Sequence, residues 1–240
     1  EWDAAEAAYQ ESLEIRRGLV ESLGTPETRR GLSVSLDNVG RVAWARGEWD
    51  AAEAAYQESL EIRRGLVESL GTPETRRGLS VSLDNVGRVA WARGEWDAAE
   101  AAYQESLEIR RGLEESLGTP EARRDLSVSL DNVGRVAWAR GEWDAAEESY
   151  RESLELARGL VESLGTPEAR RDLSVSLDNV GRVAEVRGDW DAAEEAYRES
   201  LEIRRELDDL MGTPQAQQDV STSQENLKRL SQKRADLGEL

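Results

Sequence analysis

The side chains best suited to chemistry in this sequence stand in rows. Asn38, Asn85, Asn132 and Asn179 follow one another at a step of 47 residues. Arg41, Arg88, Arg135 and Arg182 keep the same step, as do Asp37, Asp84, Asp131 and Asp178. An asparagine amide both donates and accepts, so a row of them can hold an extended peptide backbone; the plainer use is a bond to a neighbouring helix or to water. Asp37 and Arg41 lie four apart, the spacing of a surface ion pair worth about 0.3 kcal/mol. Trp44, Trp91 and Trp138 form a further row. A tryptophan left exposed is an anchor for a partner; otherwise it packs on the adjacent repeat. The fourth copy is Glu185, which would make that end more acidic and less adhesive.

Reaction chemistry finds much less material. The chain has neither histidine nor cysteine, which removes thiol catalysis, disulfides and histidine acid–base work, and takes away the usual zinc ligands. Ser33, Ser35 and Ser59 have no base beside them, no glycine-rich phosphate loop occurs, and the carboxylates recur beside arginines as solvated helix faces do. The reading is a non-enzyme without cofactor or metal. A net charge of −19 argues against nucleic acid and against an anionic membrane surface, and leaves a basic partner open. No apolar run approaches the length of a membrane span. No signal segment is visible, so a cytoplasmic location is expected, although the chain starts at Glu1 rather than Met. Positive charge is carried almost wholly by arginine, which hints at a GC-rich, bacterial source.

The elements that must position these rows follow from the repeat. Gly24-Thr25-Pro26-Glu27 recurs at Gly71, Gly118 and Gly165 and decays to Gly212-Thr213-Pro214-Gln215. Trp49 and Tyr56 recur with the same step. The chain divides into a half unit at 1–23, full units at 24–70, 71–117, 118–164 and 165–211, and a diverged half at 212–240. The first two full units differ only at Val67 and Glu114. Thr25 with Pro26 opens a first helix. Leu32, Leu36, Val39 and Ala43 form its apolar face, and Gly47 closes it. Asp50 and Glu53 have the spacing of a capping box for a second helix, with Trp49, Ala52, Tyr56, Ser59, Leu66 and Leu70 as its inner stripe and Gly71 as its end. The expected helices are 26–46 and 49–70, with Gly40 allowing close approach and Ala52 facing it. Strands are not supported.

Leu36, Val39-Gly40, Ala43, Ala52 and Tyr56 resemble the signature of tetratricopeptide repeats. The run Leu36-Asp37-Asn38-Val39-Gly40 with Tyr56 to Arg63 is similar to the longer repeats of kinesin light chains and many bacterial regulators. The resemblance implies an all-α fold, a right-handed α-solenoid of antiparallel helix pairs built from 47-residue repeats. The period exceeds the family's by about 13 residues, which lengthens the end of each second helix and the start of the next first helix. HEAT and armadillo repeats match the period but not the Gly40, Ala52 and Tyr56 spacing. The resemblance further implies that first helices line a concave groove where Val34, Asp37, Asn38, Arg41, Trp44 and Ala45 face a protein or peptide. It also implies use of the asparagine row on a peptide backbone. The chaperone-tail role of some members is disfavoured, because Asp37 and Arg41 stand where their carboxylate-binding residues would be.

Unit charges of −2, −3, −4 and −6 run along the chain. They would place the cationic end of a basic ligand towards 165–211, unless the trend is drift at a solvated end. The final helix, near 214–236, is polar and carries Lys228 in the Gly40 position, as a cap does. Residues 1–23 lack such a device, which opens two alternatives to groove binding. One is self-assembly through that segment. The other is a role as sensor or docking arm of a larger bacterial signalling protein.

Overall fold

The computed structural model describes residues 2–238. Among them stand ten α-helices and no strand: α1 Trp2–Leu23, α2 Pro26–Ala45, α3 Trp49–Leu70, α4 Pro73–Arg93, α5 Trp96–Leu117, α6 Pro120–Arg140, α7 Trp143–Leu164, α8 Pro167–Arg187, α9 Trp190–Met211 and α10 Pro214–Leu237. They form two compact units, divided after Gly118. In the first, α1 to α5 pack each on the next, and α2 also touches α4. In the second, α6 to α10 do the same. Connections of two or three residues make sequential helices antiparallel neighbours. Within each unit this is the packing of a helical solenoid.

The helix starts of α2, α4, α6, α8 and α10 come from one device. Thr25 sits in extended backbone and its Oγ1 accepts from the Thr28 amide at 3.3 Å, with Pro26 opening the helix. Thr72, Thr119, Thr166 and Thr213 repeat the arrangement. The second helices start differently from the capping box expected at Asp50 and Glu53. The cap of α3 is Glu48, whose side chain makes no capping bond, and Asp50 lies inside the first turn. A glutamate is one methylene too long for the cap geometry. Asp189 stands in this place in the fourth repeat, and its shorter carboxylate does accept from the Ala192 amide, at 3.2 Å. Asp50 and Glu53 instead both hold Arg93 at the end of α4, Glu53 at 2.8 Å. Arg187 takes Asp144 and Glu147 in the same way, and Arg234 takes Asp191 and Glu194.

The core confirms Leu32, Leu36 and Ala43, and Ala52, Tyr56, Ser59 and Leu66, as buried. Trp49 and Leu70 are exposed instead, because they are the terminal residues of α3. Gly40 does allow close approach, but the group laid on it is the Tyr56 ring: a Cβ there would lie 2.6 Å from Tyr56 Cε1. Ala52 is buried in a cluster with Ala43, Tyr56 and Val89. Ser59 ties three helices, donating to the Ser33 carbonyl at 3.1 Å and sharing a hydrogen bond with Ser82 Oγ at 3.1 Å. In α1, Ile15 and Leu23 are exposed.

Candidate functional site

The face of the first helices is organised from beneath by a side chain the sequence reading passed over. Arg63, on α3 between Ser59 and Leu66, is buried. Its Nη2 donates to Asp37 Oδ2 at 2.5 Å, its Nε to Ser33 Oγ at 3.1 Å and its Nη1 to the Gly78 carbonyl at 2.6 Å. One guanidinium thus joins α2, α3 and α4. Arg110 repeats the pairing with Asp84 at 2.5 Å, and Arg204 with Asp178 at 2.8 Å. Asp37 is therefore paired across helices rather than with Arg41 on its own surface. Burial pushes the Asp37 carboxyl above its ordinary range even against Arg63, and the same burial lowers Arg63. The arginine doublet Arg63-Arg64, recurring 26 residues after Asp37, was the available signal.

The third repeat breaks the pattern, since Ala157 stands where Arg63 stands in the first. Asp131 keeps its place without a guanidinium bonded to it. The Asn179 amide donates to Asp131 Oδ1 at 3.2 Å. Burial raises the Asp131 carboxyl to about 6, opposed by hydrogen bonds from Ser153 and Asn179 and by the more distant Arg135 and Arg182.

The asparagine and arginine rows meet one another first. Asn38 Oδ1 accepts from Arg41 Nη2 at 3.0 Å, Asn85 from Arg88 at 3.1 Å, Asn132 from Arg135 at 2.7 Å and Asn179 from Arg182 at 2.5 Å. Asn226 and Arg229 on α10 extend the rows by one more step, at 3.1 Å; following the 47-residue interval past Asn179 would have found them. The arginines also stitch repeats together. Arg88 Nη2 donates to Tyr56 Oη at 3.0 Å, and its guanidinium lies 5.0 Å from the Trp44 ring centre. Arg41 reaches Tyr9 Oη at 3.5 Å and Arg229 reaches Tyr197 Oη at 3.3 Å. Trp138 has Arg182 at 5.6 Å and the Trp143 ring edge-on at 4.9 Å; Trp91 meets Trp96 edge-on at 6.2 Å. Trp44 stays exposed beneath its arginine, while Trp91 and Trp138 are half-buried.

Glu185 does not make that end of the face acidic. It is buried and receives Tyr197 Oη at 2.9 Å, Arg229 at 3.0 Å and Lys233 at 2.7 Å. Burial works to raise its carboxyl, and the bonds from Arg229, Lys233 and Tyr197 overcome that and hold it down to about 2. Also open to solvent on these helices is the valine one turn before the asparagine: Val34 and Val81 in the first unit, Val128 and Val175 in the second. Around the first of these lies a cleft that includes Ser12, Arg16, Glu27, Val34 and Asn38.

Among the described residues no group of three acidic side chains is placed to hold a metal ion, and no helix is long and apolar enough to cross a membrane. A family model described as Tetratricopeptide repeat matches residues 33–112, 78–159 and 125–206. No curated protein matches the chain in sequence. Among solved structures it is similar to BtubC (BKLC) from P. vanneervenii, with 18% identity and a TM-score of 0.65 over 100% of this chain and 93% of that one. It is also similar to the apo form of RapI, with 14% identity and a TM-score of 0.67 over 95% of this chain and 55% of that one. At these identities the likeness is one of fold.

Proposed function

This chain belongs to the tetratricopeptide repeat family, a fold typical of non-catalytic protein–protein interaction scaffolds, and we propose that it holds a peptide segment of a partner protein along its first helices. The observation that carries this reading is the exposed valine beside a half-buried asparagine, set identically on α2 and α4 and again at Val128 on α6. The valines supply apolar contact. The asparagine oxygens are committed to the arginines of their own helices, which orients the amide N–H groups as donors for a peptide carbonyl; the amide of Asn179 is already given to Asp131. Trp44 adds a flat apolar surface, and Arg41, Arg88, Arg135 and Arg182 act mainly by fixing the asparagines and tyrosines around them.

The net charge favours a basic segment. Glu185 is neutralised internally, so the pull towards residues 165–211 rests on the other acidic side chains of that repeat. The division into units at 24–70, 71–117, 118–164 and 165–211 belongs to the same proposal. So does the role of α10 as a closing helix: Lys228, Ser231 and Gln232 are exposed there. The test is a peptide selected from a displayed random library against the wild-type chain and titrated by fluorescence anisotropy. Asn38→Ala with Asn85→Ala, both in the first unit, weakens it at least about tenfold, the loss of roughly two hydrogen bonds, with helicity unchanged. Equal affinity would remove the asparagine row from the site.

A further inference from the structure

In three repeats the aspartate of the first helix closes on an arginine sent up from the helix that follows it. Arg63 reaches Asp37, Arg110 reaches Asp84 and Arg204 reaches Asp178, and each also donates its Nε to a serine, Ser33, Ser80 or Ser174, at 3.1 Å. The chain thus shows three times over what this set of acceptors takes: one planar guanidinium. The third repeat keeps the acceptors, Asp131 and Ser127, and loses the donor, because Ala157 has no atom beyond Cβ.

Small groups have turned to fill the gap. Ser127 Oγ shares a hydrogen bond with Ser153 Oγ at 2.9 Å, and Asn179 leans in on Asp131 at 3.2 Å. Asn179 is buried where Asn38, Asn85 and Asn132 are half-buried. Neither substitute brings a charge to the carboxylate. Asp131 keeps some contact with solvent on the first-helix face, next to Asn132 in sequence and one turn from Val128, which is exposed. A charged donor coming from that face reaches the carboxylate by displacing the Asn179 amide.

We propose that Asp131 is a seat for a guanidinium supplied by the partner, an arginine side chain of the bound segment that takes the place Arg63 takes in the first repeat. This rests on the groove-binding reading and deepens it: it names the ligand's residue and fixes its register at the third repeat. An arginine suits the seat better than a lysine, since the three internal examples use Nη2 and Nε together, a fork that an ammonium lacks.

The test uses the full chain and methylguanidinium as the probe, followed by amide NMR at constant ionic strength. The Asn179 side-chain amide and the Ala157 backbone amide shift together and saturate on the order of tens of millimolar, the range one charge-assisted contact supports. Methylammonium moves them at least about fivefold less. Ala157→Arg fills the seat internally and abolishes both responses. Asp131→Asn, a smaller change, does the same and guards against a poorly folded arginine variant. Shifts that do not saturate, or that persist in Asp131→Asn, overturn the seat. Selected peptides separate the two ideas. Arginine-dependent binding lost in Ala157→Arg supports both. Peptides that bind wild type and Ala157→Arg alike, with no methylguanidinium response, keep the groove and reject the seat. A saturating response at Asp131 with no peptide binding at the asparagine row keeps the seat's chemistry and rejects the groove.

Discussion

Asp131 makes a prediction that needs no partner. Its carboxyl titrates at about 6 in the folded chain against an ordinary value of 3.8. A carboxylate raised on folding is a cost while ionised: the native state holds its proton more tightly than the unfolded one, so stability rises as the pH falls through 6 towards 4. The full cost at neutral pH is about 3 kcal/mol at 1.36 kcal/mol per unit. The residual solvent contact of Asp131 reduces it to roughly 2 kcal/mol. Asp131→Asn removes the charge and keeps an oxygen for Asn179, so the variant is the more stable form at pH 7.5, by about 1 to 2 kcal/mol. Urea unfolding followed by circular dichroism checks this at pH 7.5 and again near pH 5.2, above the sequence pI of about 4.5 where solubility falls. The gap between variant and wild type narrows by about 0.5 to 1 kcal/mol over that range. Every other carboxylate titrates in both proteins and cancels in the difference. A gap that stays constant with pH, or a variant less stable at pH 7.5, refutes the reasoning.

Arg63→Ala recreates the third repeat's defect in the first, stranding the half-buried Asp37. It costs about 3 to 4 kcal/mol by chemical denaturation, and Asp37→Asn added to it restores at least half; no rescue would mean the arginine matters for packing alone. Glu185→Gln tests the ion cluster of α8, α9 and α10. Its folded value of about 2 lies below the unfolded one, so its contribution is present above roughly pH 4.3 and is lost as the pH falls towards 2. With Arg229 and Lys233 half exposed the neutral-pH loss is on the order of 2 kcal/mol, read as a fall in melting temperature; an unchanged melt would show the cluster to be ornamental.

Much of the fold was legible because local signals agree. Thr25, Pro26 and Gly71 mark helix ends by backbone chemistry that needs no tertiary context, and the 47-residue step says that each neighbour is the same object again. The errors share one cause. Asp37 with Arg41, and Asp50 with Glu53, were paired by proximity along the chain, whereas packing offered each a partner on another helix, Arg63 and Arg93. A charged residue in an otherwise apolar stripe reads as surface, so Arg63 was passed over although its repeat partner was plain. Glu185 looked like a loss of a tryptophan; Tyr197, Arg229 and Lys233 show it to be an exchange of an aromatic contact for an ionic one. The asparagine row was found as a row, but the claim of its arginines on each oxygen depends on side-chain rotamers that spacing does not encode.

The tyrosine laid on Gly40 has a consequence for how such a chain grows in descent. Its ring belongs to the first helix of its own repeat and its hydroxyl to Arg88 of the next, so the smallest self-sufficient piece is three consecutive helices, not the two that the sequence period marks out. Inserting or deleting one whole period within near-identical repeats such as 24–70 and 71–117 gives the tyrosine at the new junction the same glycine and arginine it had before. A change of half a period sets a tyrosine against a helix with neither the glycine nor the arginine it needs. Gene duplication in steps of whole repeats is thus structurally silent here, and the near identity of 24–70 and 71–117 is the kind of record that such steps leave.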